Sequence, residues 1–159
     1  MHKRRYNPDD PGGSRKVSGR FHRGLDRFPE AQTWSVLYLS LAAEASLAEI
    51  LRHSLADIDL LPEMNNYRLS EFFVRLEAVV DCRDTARHGP LVSWFEHPTD
   101  YSVSQSFGGA ALAVGAEGLL VPSATRLGDN LVIFPTQLRP DSRLDVVSSR
   151  DPLLYVERA

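Results

Sequence analysis

The stretch from Gly118 to Pro135, GLLVPSATRLGDNLVIFP, constrains the fold more than any other part of the chain. Two apolar, β-leaning runs, Leu119–Val121 and Leu131–Phe134, flank a polar joint. A tight hairpin commonly turns on Asn-Gly or Asp-Gly. Here Pro122 and Ser123 stand where the first strand ends, with Arg126 three residues on. Proline lacks the N–H a ladder needs, so Pro122 helps end the pairing. Ser123 is then a nucleophile, a ligand contact or a strand terminator. It lacks the G-x-S-x-G surround of a nucleophile elbow, and no histidine is placed beside it by sequence to activate it. A hydroxyl that hydrogen-bonds a ligand or a backbone group is simpler to arrange.

The other elements are short. VLYLSL (36–41) is a β-compatible run. AAEASLAEILRHSLAD (42–57) is rich in Ala, Leu and Glu and predicts a helix. SEFFVRLEAVVDC (70–82) alternates like one strand. DYSVSQSFGGAALAVGA (100–116) predicts a second helix, opened by Asp100 and closing near Gly115. RLDVVSS and PLLYVER add two tail strands. Residues 1–19 read as a loop or extended arm, with at most a short strand near Arg4–Tyr6. The order predicts an α+β fold, a mixed β-sheet with few helices. The regular βαβ rhythm, the G-x-G-x-x-G fingerprint and the P-loop are all missing.

A chain of 159 residues is about one domain and can bury a core without disulfides or metal. The net charge of −3 gives no overall pull toward nucleic acid. Residues 1–30 nevertheless hold eight Lys or Arg against four acids, a basic arm or the source of an anion site. The single cysteine, Cys82, excludes a disulfide within the chain and a Cys-based zinc site, and reads as a buried structural thiol. No signal peptide and no membrane-spanning run is visible, so a cytoplasmic protein is expected.

Four residues raise chemical questions. Glu49 points away from the helix face formed by Leu47, Ile50, Leu51 and Leu55, as a solvated glutamate does. Yet Ala42, Ala45 and Ala56 lie on its side and would let something come close. Arg20 sits in SGRFHRG, bracketed by Gly19 and Gly24; its planar fork suits phosphate, and the glycines permit close approach. His22 beside it is a base or ligand contact, and no second histidine lies at metal-ligand spacing. Tyr38 lies in an apolar strand, sharing a face with Val36 and Ser40, and its hydroxyl needs a partner if buried.

Taken together, GRFHRG, LYLSLAAEASLAE, FFVRLEAVVD and EGLLVPSATR…NLVIFP resemble, in this order, the RES domain, a family named for its arginine, glutamate and serine. The resemblance runs from Gly19 to Phe134. It implies a fold similar to ADP-ribosyltransferase toxins and a toxin that consumes NAD⁺ at the nicotinamide–ribose bond by hydrolysis or phosphorolysis. NAD⁺ is then a substrate rather than a resident cofactor, with phosphate a candidate co-substrate and no metal required. The implied partner is an antitoxin with a helix-turn-helix domain, so that DNA is met only through it; self-association is left open. By motif position the catalytic residues are Arg20, Tyr38, Glu49 and Ser123, and the NAD⁺-binding residues are Arg20, His22, Tyr38 and Ser123, with Ser123 bonding the ribose or the nicotinamide amide, or orienting Glu49. His22 stands where the family often has asparagine, and Arg4 or Arg5 is a candidate for a second family arginine. Residues 1–19 form a basic arm or edge strand, and 20–159 a single RES-like catalytic domain. The alternatives are an ADP-ribosyltransferase acting on a macromolecule and an inactive binding module.

Overall fold

The computed structural model describes residues 1–54, 64–84, 95, 97, 99–125 and 127–153. The strands are β1 (His2–Lys3), β2 (Leu37–Ser40), β3 (Tyr67–Arg75), β4 (Val79–Asp81), β5 (Gly118–Pro122), β6 (Asp129–Ile133) and β7 (Arg143–Arg150). The helices are α1 (Gly12–Lys16), α2 (Ala43–Ser54) and α3 (Ser102–Ala113). The first sheet has the order β1-β3-β7 and the second β2-β6-β5-β4. All pairs are antiparallel except β4 with β5, so the second sheet is mixed and the fold is α+β. Among the described residues no helix is long and apolar enough to cross a membrane.

The second sheet is the middle layer, and β6 is its centre. Val132, Ile133 and Phe134 are fully buried, because β6 is paired on both edges and covered on both faces. One face packs Leu119, Val121 and Val132 against Phe21, Phe95 and Ala111 of α3. The other packs Leu37, Leu131 and Ile133 against Phe72, Val74 and Leu144 of the first sheet. Each such side chain contributes roughly 1.5–3 kcal/mol when fully buried. The hairpin joining β5 to β6 runs as its sequence suggests: Gly118 pairs with Ile133, Pro122 with Asp129, and the Ser123 N–H donates to the Gly128 carbonyl at 2.9 Å.

Three expectations are corrected. Residues 70–82 form two strands in different sheets, broken at Leu76–Ala78. The cause is Glu117, a fully buried carboxylate. Its Oε2 accepts the N–H groups of Glu77 at 2.6 Å and Ala78 at 2.8 Å, drawing them out of any ladder. Helix α3 starts at Ser102, with Tyr101 at its N-cap, while the Asp100 carboxylate accepts the Ser102 N–H at 2.9 Å. It ends where Gly115 takes a φ of +75°, a conformation glycine tolerates. The N-terminal strand is His2–Lys3, not Arg4–Tyr6, and it pairs with β3. Cys82 is buried at the end of β4. The expectations for Leu55, Ala56, Arg126 and residues 154–158 fall outside the described residues.

The Oε1 atom of Glu117 accepts the Arg139 N–H at 2.8 Å and the Ser142 hydroxyl. One carboxylate therefore joins the start of β5, the break after β3 and the approach to β7. Burial alone would raise its pKa, but the four donors outweigh burial and hold it at about 2. Folded below its unfolded value, the group stabilises the protein fully above pH about 4.5, and that stability is lost as pH falls toward about 2. Glu117→Ala should cost at least about 3 kcal/mol in urea unfolding at pH 7, since three backbone donors lose their acceptor. Glu117→Gln should flatten the acid limb of the stability profile. An unchanged limb would assign acid unfolding to another carboxylate.

Candidate active site

Tyr38 and Ser40 project from β2 toward the α3 side of the middle sheet, while Leu37 and Leu39 face the first sheet. Pairing places Tyr38 opposite Val132 and Ser40 opposite Asn130. Helix α2 follows β2 almost at once and carries Glu49 over the same face. A cavity of about 380 Å³ opens there, lined by Arg20, Tyr38, Glu49, Tyr101 and Asn130 among others. That volume is in the range of small-molecule sites. A larger space of about 990 Å³ adjoins it between the two sheets. Its walls mix leucines and valines with polar groups such as Lys16, Glu71 and Arg150, but neither Arg20 nor Glu49 lines it, so the predicted site residues meet in the smaller cavity.

Ser123 donates its hydroxyl proton to Glu49 Oε1 at 2.8 Å. Its oxygen accepts from the Thr125 backbone at 3.2 Å and from the Thr125 hydroxyl at 2.8 Å, since its own proton is committed to Glu49. Ser123 is fully buried. The Asn130 amide approaches the same Glu49 oxygen at 3.4 Å, and its Oδ1 accepts from the Ser40 hydroxyl at 2.9 Å. Ser40 thereby fixes which end of the amide faces the glutamate. Glu49 Oε1 is held by the hairpin and β6, and Oε2 has no hydrogen-bond partner among the described residues.

The small residues around Glu49 have a structural reason. Gly128, with φ +143°, lies in the β5–β6 turn, and its Cβ position is 3.7 Å from the Cβ atoms of Ala42 and Ala45. What comes close to the alanines is this turn, and its seat on α2 brings Ser123 to Glu49. Glu49 is thus half-buried rather than solvated.

Arg20 is held by its Nη1, which donates to the carbonyls of Phe95 and of His97, the latter at 2.9 Å. Its guanidinium lies 4.9 Å from the Tyr101 ring centre. The Nε–Nη2 edge has no hydrogen-bond partner among the described residues and can address an anion side-on. The loop carrying Arg20 is clamped on all sides. Gln105 of α3 donates to the Gly19 carbonyl at 2.9 Å, Trp34 donates to the Phe21 carbonyl at 3.1 Å, and the Phe21 N–H donates to the Tyr38 hydroxyl at 3.0 Å. Gly108 permits the approach, since a Cβ there would lie 2.3 Å from the Phe21 carbonyl oxygen.

Ser123 and His22 stand apart from the other predicted site residues. Both are buried, and neither lines the cavity. Ser123 sits behind Glu49. His22 sits behind Tyr38, with Nδ1 3.0 Å from the tyrosine oxygen and Nε2 2.8 Å from the Val17 carbonyl. Desolvation lowers the pKa of His22 against the opposing pull of the Val17 and Ser14 backbone and of Asp26, which keeps the ring neutral at pH 7. Of the four predicted catalytic residues, Arg20, Tyr38 and Glu49 share the cavity, and Ser123 joins through Glu49. Sequence reading missed Asn130, Tyr101, Thr125 and Gln105. Asn130 reads as a turn residue until its pairing with Ser40 is known.

A model of the RES domain matches residues 1–155. The chain belongs to the RES domain family. Its structure is similar to the toxin in the crystal structure of the M. tuberculosis MbcT–MbcA toxin–antitoxin complex, with a TM-score of 0.80 and 27% identity. The match covers 98% of this chain and 84% of that one. A comparison with curated proteins gives no match. The three residues that the sequence resemblance matched to the family's letters, Arg20, Glu49 and Ser123, lie together: Arg20 and Glu49 line the cavity and Ser123 bonds Glu49.

The seat of His22 depends on Gly19, where a Cβ would lie 2.3 Å from the imidazole Cε1. Gly19→Ala should therefore displace the ring and cost about 1–3 kcal/mol through overpacking. Thermal unfolding of the variant checks this; an unchanged midpoint would mean that the loop relaxes freely.

Proposed function

We propose that this chain is a toxin that degrades NAD⁺ by cleaving the nicotinamide–ribose bond, and that a cognate antitoxin restrains it. The observation that carries the reading is one cavity holding a fixed carboxylate, an arginine edge and a tyrosine hydroxyl. The MbcT–MbcA likeness supports an antitoxin partner.

The chemistry suits these groups. As the bond between ribose C1′ and the pyridine nitrogen breaks, its electron pair leaves with nicotinamide, which departs as a neutral base and needs no acid. The ribose develops oxocarbenium character, as in glycoside cleavage. Glu49 Oε2 would stabilise that charge and orient the acceptor. Water adds through oxygen and releases a proton, giving ADP-ribose; phosphate adds to give ADP-ribose 1″-phosphate. Arg20 would hold the pyrophosphate by its free edge, and Tyr38 would fix the nicotinamide or ribose. Ser123, with its proton on Glu49 and its oxygen accepting twice, is a positioning residue and forms no covalent adduct.

Pure protein incubated with NAD⁺, with and without phosphate, should release nicotinamide, and the second product names the acceptor. Glu49→Gln should lower the rate by at least about 10²-fold, the scale of losing one preorganised electrostatic group. Ser123→Ala should lower kcat with a smaller change in KM. Transfer of adenylate label to a macromolecule would instead make the chain an ADP-ribosyltransferase. NAD⁺ loss at the parental rate in Glu49→Gln would reject the assignment of the carboxylate.

A further inference from the structure

Tyr38 and His22 form a hydrogen-bonded pair whose polarity is set by a third atom. The Val17 carbonyl lies 2.8 Å from His22 Nε2. A carbonyl oxygen only accepts, so Nε2 carries the proton. In the neutral ring Nδ1 is then bare, and it lies 3.0 Å from the Tyr38 oxygen. The tyrosine proton must point at it. The Phe21 N–H donates to the same oxygen at 3.0 Å, taking one acceptor position. Tyr38 lines the cavity and is 41% exposed. Desolvation raises the pKa of its hydroxyl above the ordinary tyrosine value. The phenol therefore keeps its proton, and that proton is committed inward.

We propose that His22 is a positioning residue that takes the hydroxyl proton of Tyr38, so that Tyr38 offers the ligand a lone pair and the cavity selects a group bearing an N–H or O–H. Glu49, a second acceptor, lines the same cavity. The proposal rests on the NAD⁺ reading for the identity of the ligand but not for the polarity of the pair. In NAD⁺ the matching donor is either the carboxamide N–H or a hydroxyl of the nicotinamide ribose. A His22 side chain with its proton on Nδ1 would turn the tyrosine proton outward and reverse the preference.

Nitrogen-15 NMR of ring-labelled histidine reads the polarity directly in the parent protein. Nε2 should be protonated and Nδ1 bare at pH 7; protonation of Nδ1 overturns the proposal whatever the substrate. His22→Asn supplies an amide oxygen to take the tyrosine proton and should keep KM for NAD⁺ within about twofold of the parent. His22→Leu supplies none and should raise KM by about fivefold or more, the scale of one hydrogen bond. If His22→Leu does not fold, the analogue test stands alone. Nicotinic acid adenine dinucleotide lacks the amide N–H, and an NAD⁺ analogue deoxygenated on the nicotinamide ribose lacks a hydroxyl. One of these should be discriminated against by about fivefold in the parent and not in Tyr38→Phe, which also identifies the donor. Discrimination that never depends on Tyr38 rejects the acceptor role. A parent that neither binds nor cleaves NAD⁺ would reject the functional reading, while the ring nitrogens would still decide the polarity.

Discussion

The buried carboxylate of Glu117 is the tie on which the layered arrangement depends. It accepts four hydrogen bonds from segments distant in sequence, two from the break after β3 and two from the approach to β7. Its own backbone N–H donates to the Ala78 carbonyl, and its carbonyl accepts from Phe134, each at 2.8 Å. Both sheets are thus anchored at one residue. A buried charge is costly unless its hydrogen bonds are complete, and completing them here requires both sheets to be in place. The same requirement ends a strand that β-propensity alone would continue.

The site depends on a second packing contact, between the β5–β6 turn and α2. Once β5 and β6 pair, their connecting turn must land somewhere, and Ala42, Ala45 and Gly128 leave room for it on α2. Ser123 then meets Glu49 because the turn at Gly128 seats against the methyl groups of Ala42 and Ala45. A bulkier residue at any of these three positions would push the hairpin from the helix and uncouple the hydroxyl from the carboxylate. Small residues near a carboxylate can thus signal a supporting element rather than a ligand.

Much of the fold was legible because its signals are local. The β5–β6 hairpin, β2, α2 and the end of α3 near Gly115 follow from apolar runs, helix formers and one glycine. The break at Leu76–Ala78 was not legible, because the cause lies some forty residues away in Glu117. Arg20, Tyr38 and Glu49 could be singled out by residue type and by family resemblance. For Ser123 the sequence left a ligand contact and the orientation of Glu49 both open, and it did not connect His22 to Tyr38, since both roles depend on which side of a neighbour the side chain occupies. Asn130 gains meaning only from strand register.

The buried polar residues show where the fold accepts cost for function. Among the described residues these are His22, Ser104, Gln105, Glu117 and Ser123. Apart from Glu117, each stands behind a group that lines the cavity. Gln105 holds the loop bearing Arg20, and Ser104 bonds the carbonyl of Tyr101 at 3.1 Å. His22 and Ser123 hold Tyr38 and Glu49. Burying a hydroxyl, an amide or an imidazole adds little net stability even when its hydrogen bonds are made. An apolar core would serve the fold as well. What these residues supply is direction: each aims one polar atom of a cavity residue and leaves another free. A carboxylate with one oxygen held and one open is better prepared to meet a developing positive charge than one that must first turn from water.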